Sequence, residues 1–184
     1  MRNKLLVFIV AFLLFSCKEE SVPKPHAYLS LEFEKQQYVR YDQSPYFDFE
    51  KNKEATFEAL NNGWAKIHYP KLKASIDITY RPVKNNLKSL LMESEKLTFS
   101  HVIKADGISS QEFENSKNHT YGRIYEVTGD AATNLQFNLT DSLKNFITAS
   151  VYFKVQPNFD SIEPAVDYLK EDIKVLMESL TWKK

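Results

Sequence analysis

The chain has 184 residues with 24 Lys and Arg and 24 Asp and Glu side chains, so its formal net charge at pH 7 is zero. A near-neutral chain lacks the basic surface with which proteins bind nucleic acid, and nucleic-acid partners are therefore excluded. Because there is a single cysteine, internal disulfides are excluded as well, and an apolar core must stabilise the fold.

The N-terminus combines positive charge with a short apolar run. Arg2 and Lys4 precede residues 5–15, which are all apolar, and a serine then precedes Cys17. This order is typical of a secretory signal. Eleven helical residues would extend about 17 Å, whereas the hydrocarbon core of a bilayer is about 30 Å thick. We therefore predict a signal peptide over residues 1–16 and not a membrane span.

The residues at the predicted cleavage point resemble the lipobox of bacterial lipoproteins. They read Leu14-Phe15-Ser16-Cys17, with a residue bulkier than usual before the serine. We predict that the Cys17 thiol carries the lipid that binds the protein to a membrane; the alternative is an ordinary export signal with an incidental cysteine. Two or three acyl chains anchor a protein stably, whereas one chain binds only marginally.

The next segments predict a tether and then β-strands. Residues 17–26 are polar and contain two prolines, which indicates a lipidated tether before a single globular domain over residues 27–184. Alternation of apolar and polar residues with period two then predicts strands. These strands lie around Leu29, Leu31 and Phe33, and at 46–49, 64–69, 75–80, 109–116, 120–128, 133–140 and 145–155.

Two segments carry the helical period instead. Apolar residues recur at three- and four-residue steps over 85–104, which predicts an amphipathic helix. A second helix is predicted to begin near Asp160, with Glu163 completing a capping-box-like start and Pro164 in the first turn. Its apolar stripe is Ile162, Val166, Leu169, Ile173, Leu176 and Leu180. The element order indicates an α+β fold, a mostly antiparallel sheet flanked by helices.

No pattern in the sequence points to catalysis. The four histidines (His26, His68, His101 and His119) have no second histidine or cysteine at metal-ligand spacing, so we predict no metal, no cofactor and no catalytic residue. One hypothesis for the function is a module that binds a small ligand or glycan through exposed tyrosines; the alternative is that these tyrosines pack in the sheet. They are Tyr28, Tyr38, Tyr41 and Tyr46. Another hypothesis, a periplasmic hydrolase, requires a cleft with convergent titratable groups.

Two short motifs resemble the Asp-Ser/Thr-aliphatic sequon of O-glycosylation in Bacteroidetes. They are Asp141-Ser142-Leu143 and Asp160-Ser161-Ile162, so Ser142 and Ser161 are candidate glycosylation sites. The alternative is that one motif is a turn and the other a helix cap, since Asp and Ser are favoured in both.

Several segments together resemble the GldD family of gliding motility lipoproteins of Bacteroidetes. They are Pro23 to Leu29, Gly122 to Gly129, Gln136 to Ser142, Tyr152-Phe153, Pro157 to Ser161 and Leu176 to Trp182. The resemblance implies a part in gliding motility and type IX secretion beside other envelope proteins, with no catalytic residues. The order of strands and helices also resembles the PsbP-like fold, an antiparallel sheet sandwiched by helices. His26 departs from the family, where a basic Arg or Lys is expected.

The residues after Cys17 bear on which membrane holds the protein. Lys18-Glu19-Glu20 resembles the signal, a lysine and two acidic residues, that directs some Bacteroidetes lipoproteins to the cell surface. The alternative is an ordinary polar tether. We expect the outer membrane rather than the inner, with the periplasmic and surface faces both open.

Overall fold

The computed structural model describes residues 33–100, 104–155 and 158–183. The strands in chain order are β1 (Tyr38–Tyr41), β2 (Phe47–Asn52), β3 (Thr56–Ala59), β4 (Trp64–Tyr69), β5 (Ala74–Pro82), β6 (Gly107–Asn115), β7 (Thr120–Thr128), β8 (Leu135–Thr140), β9 (Asn145–Phe153) and β10 (Thr181–Trp182). Helix α1 (Leu87–Phe99) follows β5, and helix α2 (Phe159–Ser179) follows β9. Short 3₁₀ turns occupy Asn61–Gly63 and Pro70–Leu72.

The strands form two sheets in which every neighbouring pair is antiparallel. The larger sheet has seven strands in the order β3-β4-β5-β9-β8-β7-β6, and the smaller has three in the order β1-β2-β10. The longest pairing joins β5 to β9, with Ala74 opposite Phe153 and Pro82 opposite Asn145. The predicted α+β class with a mostly antiparallel sheet is therefore confirmed.

The apolar core lies on one face of the large sheet, under α2 and the small sheet. Because side chains alternate along a strand, Ile76 and Ile78 of β5 point to the same face as their β9 partners Val151 and Ala149. Leu169 of α2 is completely buried against this face. Removing such a side chain from water stabilises the fold by about 1.5–3 kcal/mol.

The opposite face of the sheet is covered by α1 through polar contacts. Helix α1 buries Leu90, Ser94 and Thr98 against β8 and β9. The Thr98 Oγ1 lies 3.0 Å from Gln136 Oε1, and Asn138 Nδ2 lies 3.4 Å from Ser94 Oγ. One helix thus lies on each face of the sheet, as the predicted sandwich requires; the likeness to PsbP-like domains itself stays a prediction.

The second helix begins within one residue of the predicted point, but its predicted capping is wrong. The helix begins at Phe159, and the capping box predicted from Asp160 and Glu163 is wrong, because no side chain caps the helix from Asn158. Instead Asp130 Oδ1, from the loop after β7, accepts the Phe159 backbone N–H at 2.9 Å. Pro164 lies in the second turn and not the first.

The observed bounds of other helices and strands differ from the predicted bounds by a few residues. Helix α1 covers Leu87–Phe99 instead of 85–104. At its C-terminal end the Ser100 hydroxyl donates a hydrogen bond to the Leu97 carbonyl at 2.6 Å and so satisfies a carbonyl of the last turn. Strand β7 has the predicted bounds. Strands β1, β3 and β10 were not predicted. The signal peptide, Cys17, the tether and the strand expected at Leu29 and Leu31 lie outside the described residues.

Candidate functional site

An apolar cavity opens where the described chain begins. The Phe33 ring packs on Tyr168 of α2, with ring centroids 4.9 Å apart. Beside this pair is a cavity of about 590 Å³, bounded by the start of α2, the Pro70–Leu72 turn and the end of β9. We call it the α2 pocket. Its apolar lining consists of Phe33, Leu72, Phe153, Val155, Ile162 and Ala165.

The floor of the α2 pocket rests on a buried carboxylate. Asn52 and Tyr69 line the pocket and are almost completely buried. Asn52 Nδ2 donates to Asp172 Oδ2 at 3.0 Å and to the Tyr168 hydroxyl at 2.9 Å. From the other side, the Tyr38 hydroxyl donates to Asp172 Oδ1 at 2.8 Å. The polar atoms of the floor are thus bonded to one another, and Asp172 itself does not line the pocket.

This cluster changes the acidity of its members. Burial raises the pKa of Asp172, although hydrogen bonds from Asn52, Tyr38, Tyr69 and Gln36 act to lower it. Burial, and then the Asp172 carboxylate, raise the pKa of Tyr69 well above its ordinary value. Neutral donors therefore hold a carboxylate that is 3% exposed. Such a cluster ties α2 to β1 and β2.

The rim of the α2 pocket carries charges of both signs. Lys71 Nζ lies 2.9 Å from Glu34 Oε1 and 3.1 Å from Glu54 Oε2. Lys73 lies at the same rim with a left-handed backbone, φ 50°, and its carbonyl accepts the Lys154 backbone N–H at 2.7 Å. An apolar interior with a zwitterionic rim suits an amphipathic ligand.

A second concavity, of about 500 Å³, lies between α1 and strands β6 to β8. Arg123 is at its centre, with Nη2 2.8 Å from Glu112 Oε1 and Nη1 4.0 Å from Glu95 Oε1. Tyr121 and Tyr125 line it as well. The charges there are already paired with one another, in contrast to the apolar lining of the α2 pocket.

An exposed apolar groove, of about 240 Å³, runs between α1 and the outer face of β4, β5 and β9. Trp64 is 58% exposed in it, and Leu97 of α1 is 47% exposed. The buried side chains of Ala65, Ile78 and Ala149 line it too. Its exposed apolar residues are Leu60, Trp64, Leu97 and Tyr152, and we call these four residues the Trp64 groove. Contiguous exposed apolar side chains of this kind mark interaction surfaces.

The candidate glycosylation residues lie apart from each other. Ser142 is exposed in the turn between β8 and β9, at φ 66°. Asp141 Oδ1 holds this turn by accepting the backbone N–H groups of Leu143, Lys144 and Asn145. Ser161 is exposed on the first turn of α2, at the rim of the α2 pocket. Both serines are accessible, and their modification stays a prediction.

The tyrosines proposed as ligand contacts are used in internal packing where the structure describes them. The Tyr46 ring stacks on Tyr80 with centroids 3.9 Å apart, and the Tyr41 ring packs 4.1 Å from Phe57. The Tyr38 hydroxyl is bonded to Asp172, and Tyr28 lies outside the described residues. The rings at the α2 pocket are others, Phe33, Tyr69, Phe153 and Tyr168. The sequence did not single them out as ligand contacts because they come from four distant segments.

Within the described ranges, no three His, Cys, Asp or Glu side chains come together to hold a metal ion. His68 Nε2 lies 2.7 Å from Glu58 Oε2 across the β3–β4 pair. None of the helices that the structure describes is both long and apolar enough to cross a membrane.

A comparison with models of known protein families shows the family of this chain. The family model described as gliding motility lipoprotein GldD matches residues 18–182. The chain belongs to the GldD family. The match begins directly after Cys17 and covers both helices and both sheets of this GldD family member, so it includes the α2 pocket and the Trp64 groove. A search of curated proteins found no match.

Proposed function

We propose that this GldD family member is a non-enzymatic component of the gliding motility machinery and of the associated type IX secretion apparatus, in which it stabilises or assembles partner proteins. The observation that carries the proposal is the family match over residues 18–182. The buried carboxylate agrees with a non-enzymatic role, because neutral donors occupy both Asp172 oxygens and the group does not line the pocket.

The anchor of the protein is proposed to be Cys17, acylated with palmitate-type chains after removal of residues 1–16. Two observations support acylation of Cys17: the chain matches a family of lipoproteins, and an apolar run ends shortly before Cys17. Mass spectrometry of the N-terminal peptide of the native protein should show a diacylglyceryl-modified Cys17, and an unmodified thiol would contradict it. We place the anchor in the outer membrane, and protease shaving of intact cells distinguishes the surface face from the periplasmic face.

The Trp64 groove is the surface through which we propose that a protein partner binds. A Trp64→Asp variant should lose co-purifying envelope proteins when the tagged, lipidated chain is isolated from membranes and its partners are identified by mass spectrometry. Met92→Asp is the matched control, because Met92 is 60% exposed but does not line the groove. Equal recovery of partners by the two variants would contradict this surface.

Deletion tests the cellular role. Loss of the protein should abolish colony spreading and remove type IX substrates from the culture medium, and the wild-type chain supplied in trans should restore both. A deletion strain with normal spreading and an unchanged set of secreted proteins would overturn the proposal.

An envelope module that binds a ligand or glycan is the second candidate. The α2 pocket favours it in the form of an apolar ligand, because the pocket interior is lined mainly by hydrocarbon.

Glycosylation at Ser142 and Ser161 stays a separate proposal. Hexose increments in the intact mass of the native protein, lost in a Ser142→Ala, Ser161→Ala variant, would support it.

A further inference from the structure

We propose that the α2 pocket binds one fatty acyl chain of a zwitterionic phospholipid of the membrane to which the protein is anchored. This inference rests on the proposed anchoring through Cys17 and adds a second, non-covalent lipid contact. The chain lies between α2 and the end of β9, and the phospholipid headgroup lies at the rim beside Lys71 and Lys73.

The interior of the pocket suits hydrocarbon. Leu72, Phe153 and Ile162 form apolar walls, and Ala165 is a small residue at the floor that is only 6% exposed. The polar atoms below bond to one another, since Asn52 Nδ2 is shared by Asp172 and Tyr168. A ligand therefore loses no hydrogen bond by bringing only methylene groups. The volume of about 590 Å³ lies within the range of about 300–1,000 Å³ found for small-molecule sites.

The backbone at the rim favours a lipid chain over a peptide. The N–H groups of Lys73 and Lys154 already donate to carbonyls, at 3.2 and 2.7 Å. The N–H groups of Glu54 and Ile162 donate to Asn52 Oδ1 and the Asn158 carbonyl, at 3.0 and 3.3 Å. A peptide entering here would lose the hydration of its own amides without gaining these partners. An acyl chain has no amides to desolvate.

The position of the pocket along the chain brings it within reach of a bilayer. Phe33, which lines the pocket, follows Cys17 by 16 residues. An extended segment of that length spans at most about 55 Å. The connection between the proposed anchor and the pocket is therefore long enough for the mouth to contact the headgroups of the bilayer that holds Cys17.

The charges at the rim match a zwitterionic headgroup. Lys71 already donates to Glu34 Oε1 and Glu54 Oε2, so a phosphate would be met by its third N–H and by Lys73. The second carboxylate oxygens of Glu34 and Glu54 are acceptors for an ammonium group. A strongly anionic ligand would meet the two glutamates. The mixed rim therefore favours phosphatidylethanolamine-type lipids.

Photolabelling in vesicles tests the proposal. The lipidated full-length mature protein is reconstituted in vesicles of phosphatidylethanolamine and phosphatidylcholine that contain a trace of phosphatidylethanolamine with a diazirine in its acyl chain. After irradiation, the labelled peptides are identified by mass spectrometry. The label is expected on the end of β9 and the first two turns of α2, which carry Phe153, Ile162 and Ala165.

Two variants and one control test whether the label depends on the α2 pocket. Ala165→Phe fills the floor, and Val155→Asp places a charge at the rim without disturbing the core, because Val155 is 44% exposed. Ala165→Phe occupies the volume that the acyl chain needs, and Val155→Asp adds a carboxylate that must be desolvated against hydrocarbon. Each variant is therefore expected to reduce the pocket label by about tenfold or more. Leu143→Asp is the control, an equally drastic change at an exposed turn outside the pocket, and it should leave the label unchanged.

Flotation of the same vesicles separates the two claims. A protein that floats but carries no label on the pocket peptides, or carries equal label in Val155→Asp and Leu143→Asp, overturns acyl binding while anchoring stands. A protein that does not float overturns the anchoring and this inference with it. If the acyl chains on Cys17 of the same molecule occupied the pocket, they would exclude the diazirine lipid. The pocket peptides would then carry no label, which counts against the proposal.

Discussion

At the scale of residues, the buried Asp172 affects both the stability of the fold and the floor of the α2 pocket. Its carboxylate is 3% exposed and is bonded to Tyr38 and Asn52. Burial disfavours the ionised form and raises the pKa, whereas the surrounding donors favour that form and lower it. Burial is the larger effect, so the folded chain binds a proton at Asp172 more tightly than the unfolded chain does.

The pH dependence of stability tests this balance. A raised pKa means that Asp172 stabilises the fold most below its unfolded pKa, and this contribution is lost as the pH rises through the folded pKa. Asp172→Asn cannot ionise. The difference in unfolding free energy, wild type minus Asp172→Asn, should therefore fall as the pH rises from about 4. Urea titrations across the pH range measure it. A difference that rises with pH would mean that the hydrogen bonds, and not burial, decide the pKa.

Gly122 shows a different kind of constraint, the close approach of two backbones. A Cβ on Gly122 would lie 1.9 Å from the Asn138 carbonyl oxygen, a backbone atom of the paired strand β8. The neighbouring strand would have to move, so Gly122→Ala should lower the unfolding free energy by about 2 kcal/mol or more. Gly107→Ala on β6 is the control, because its Cβ would meet only Thr128 Oγ1, at 3.2 Å. Equal urea midpoints for both variants would contradict the close packing.

At the scale of elements, the two helices show why the apolar stripe predicted for α2 marks its buried face, whereas that predicted for α1 does so only in part. In the predicted stripe of α2, Val166, Leu169, Ile173 and Leu176 are buried, Ile162 is half-buried, and Leu180 is buried directly after the last helical residue. On α1, Leu90 and Ser94 of the predicted stripe are buried beside Thr98, but Leu91 and Leu97 are exposed. Apolar periodicity finds the buried face only where the partner surface is apolar, and the sheet face under α1 presents Gln136 and Asn138.

Truncation of one leucine on each helix measures this contrast. Leu169→Ala leaves a cavity in the core and should cost about 2–5 kcal/mol of unfolding free energy. Leu97→Ala removes a side chain that is 47% exposed and should change stability by no more than about 0.5 kcal/mol. Both are read from denaturant unfolding. Similar losses for the two variants would show that the Leu97 side chain is buried in the folded protein.

The start of α2 gives a second contrast between sequence and structure. Asp130 accepts the N–H of Phe159, whereas Asp160 has no such capping contact. Asp130→Ala should therefore lower the unfolding free energy by about 0.5–2 kcal/mol, as loss of a helix cap does. Asp160→Ala should cost less, because it removes only a charge near the helix N-terminus. The reverse order in urea unfolding would restore the capping box that the sequence predicted.

At the scale of the molecule, the sequence predicted the long strands but not their assembly. Alternation identifies β4, β5, β7, β8 and β9 because one or both faces of each are buried. Strands β1, β3 and β10 have four, four and two residues, too short for a period to appear. The α2 pocket was also beyond prediction, since Tyr69 lies on β4, Phe153 lies on β9 and Phe33 packs on α2, and these elements meet only in the assembled fold.

The central claim is that this GldD family member serves gliding motility from a membrane. Its most direct test is colony spreading of a deletion strain supplied with a chain in which residues 1–17 are replaced by the signal of an ordinary soluble exported protein. The control is the same strain with the native chain, and immunoblots establish equal amounts. We predict that the native chain restores spreading and the unanchored chain does not. Full spreading with the unanchored chain, or none with the native chain, would contradict the account.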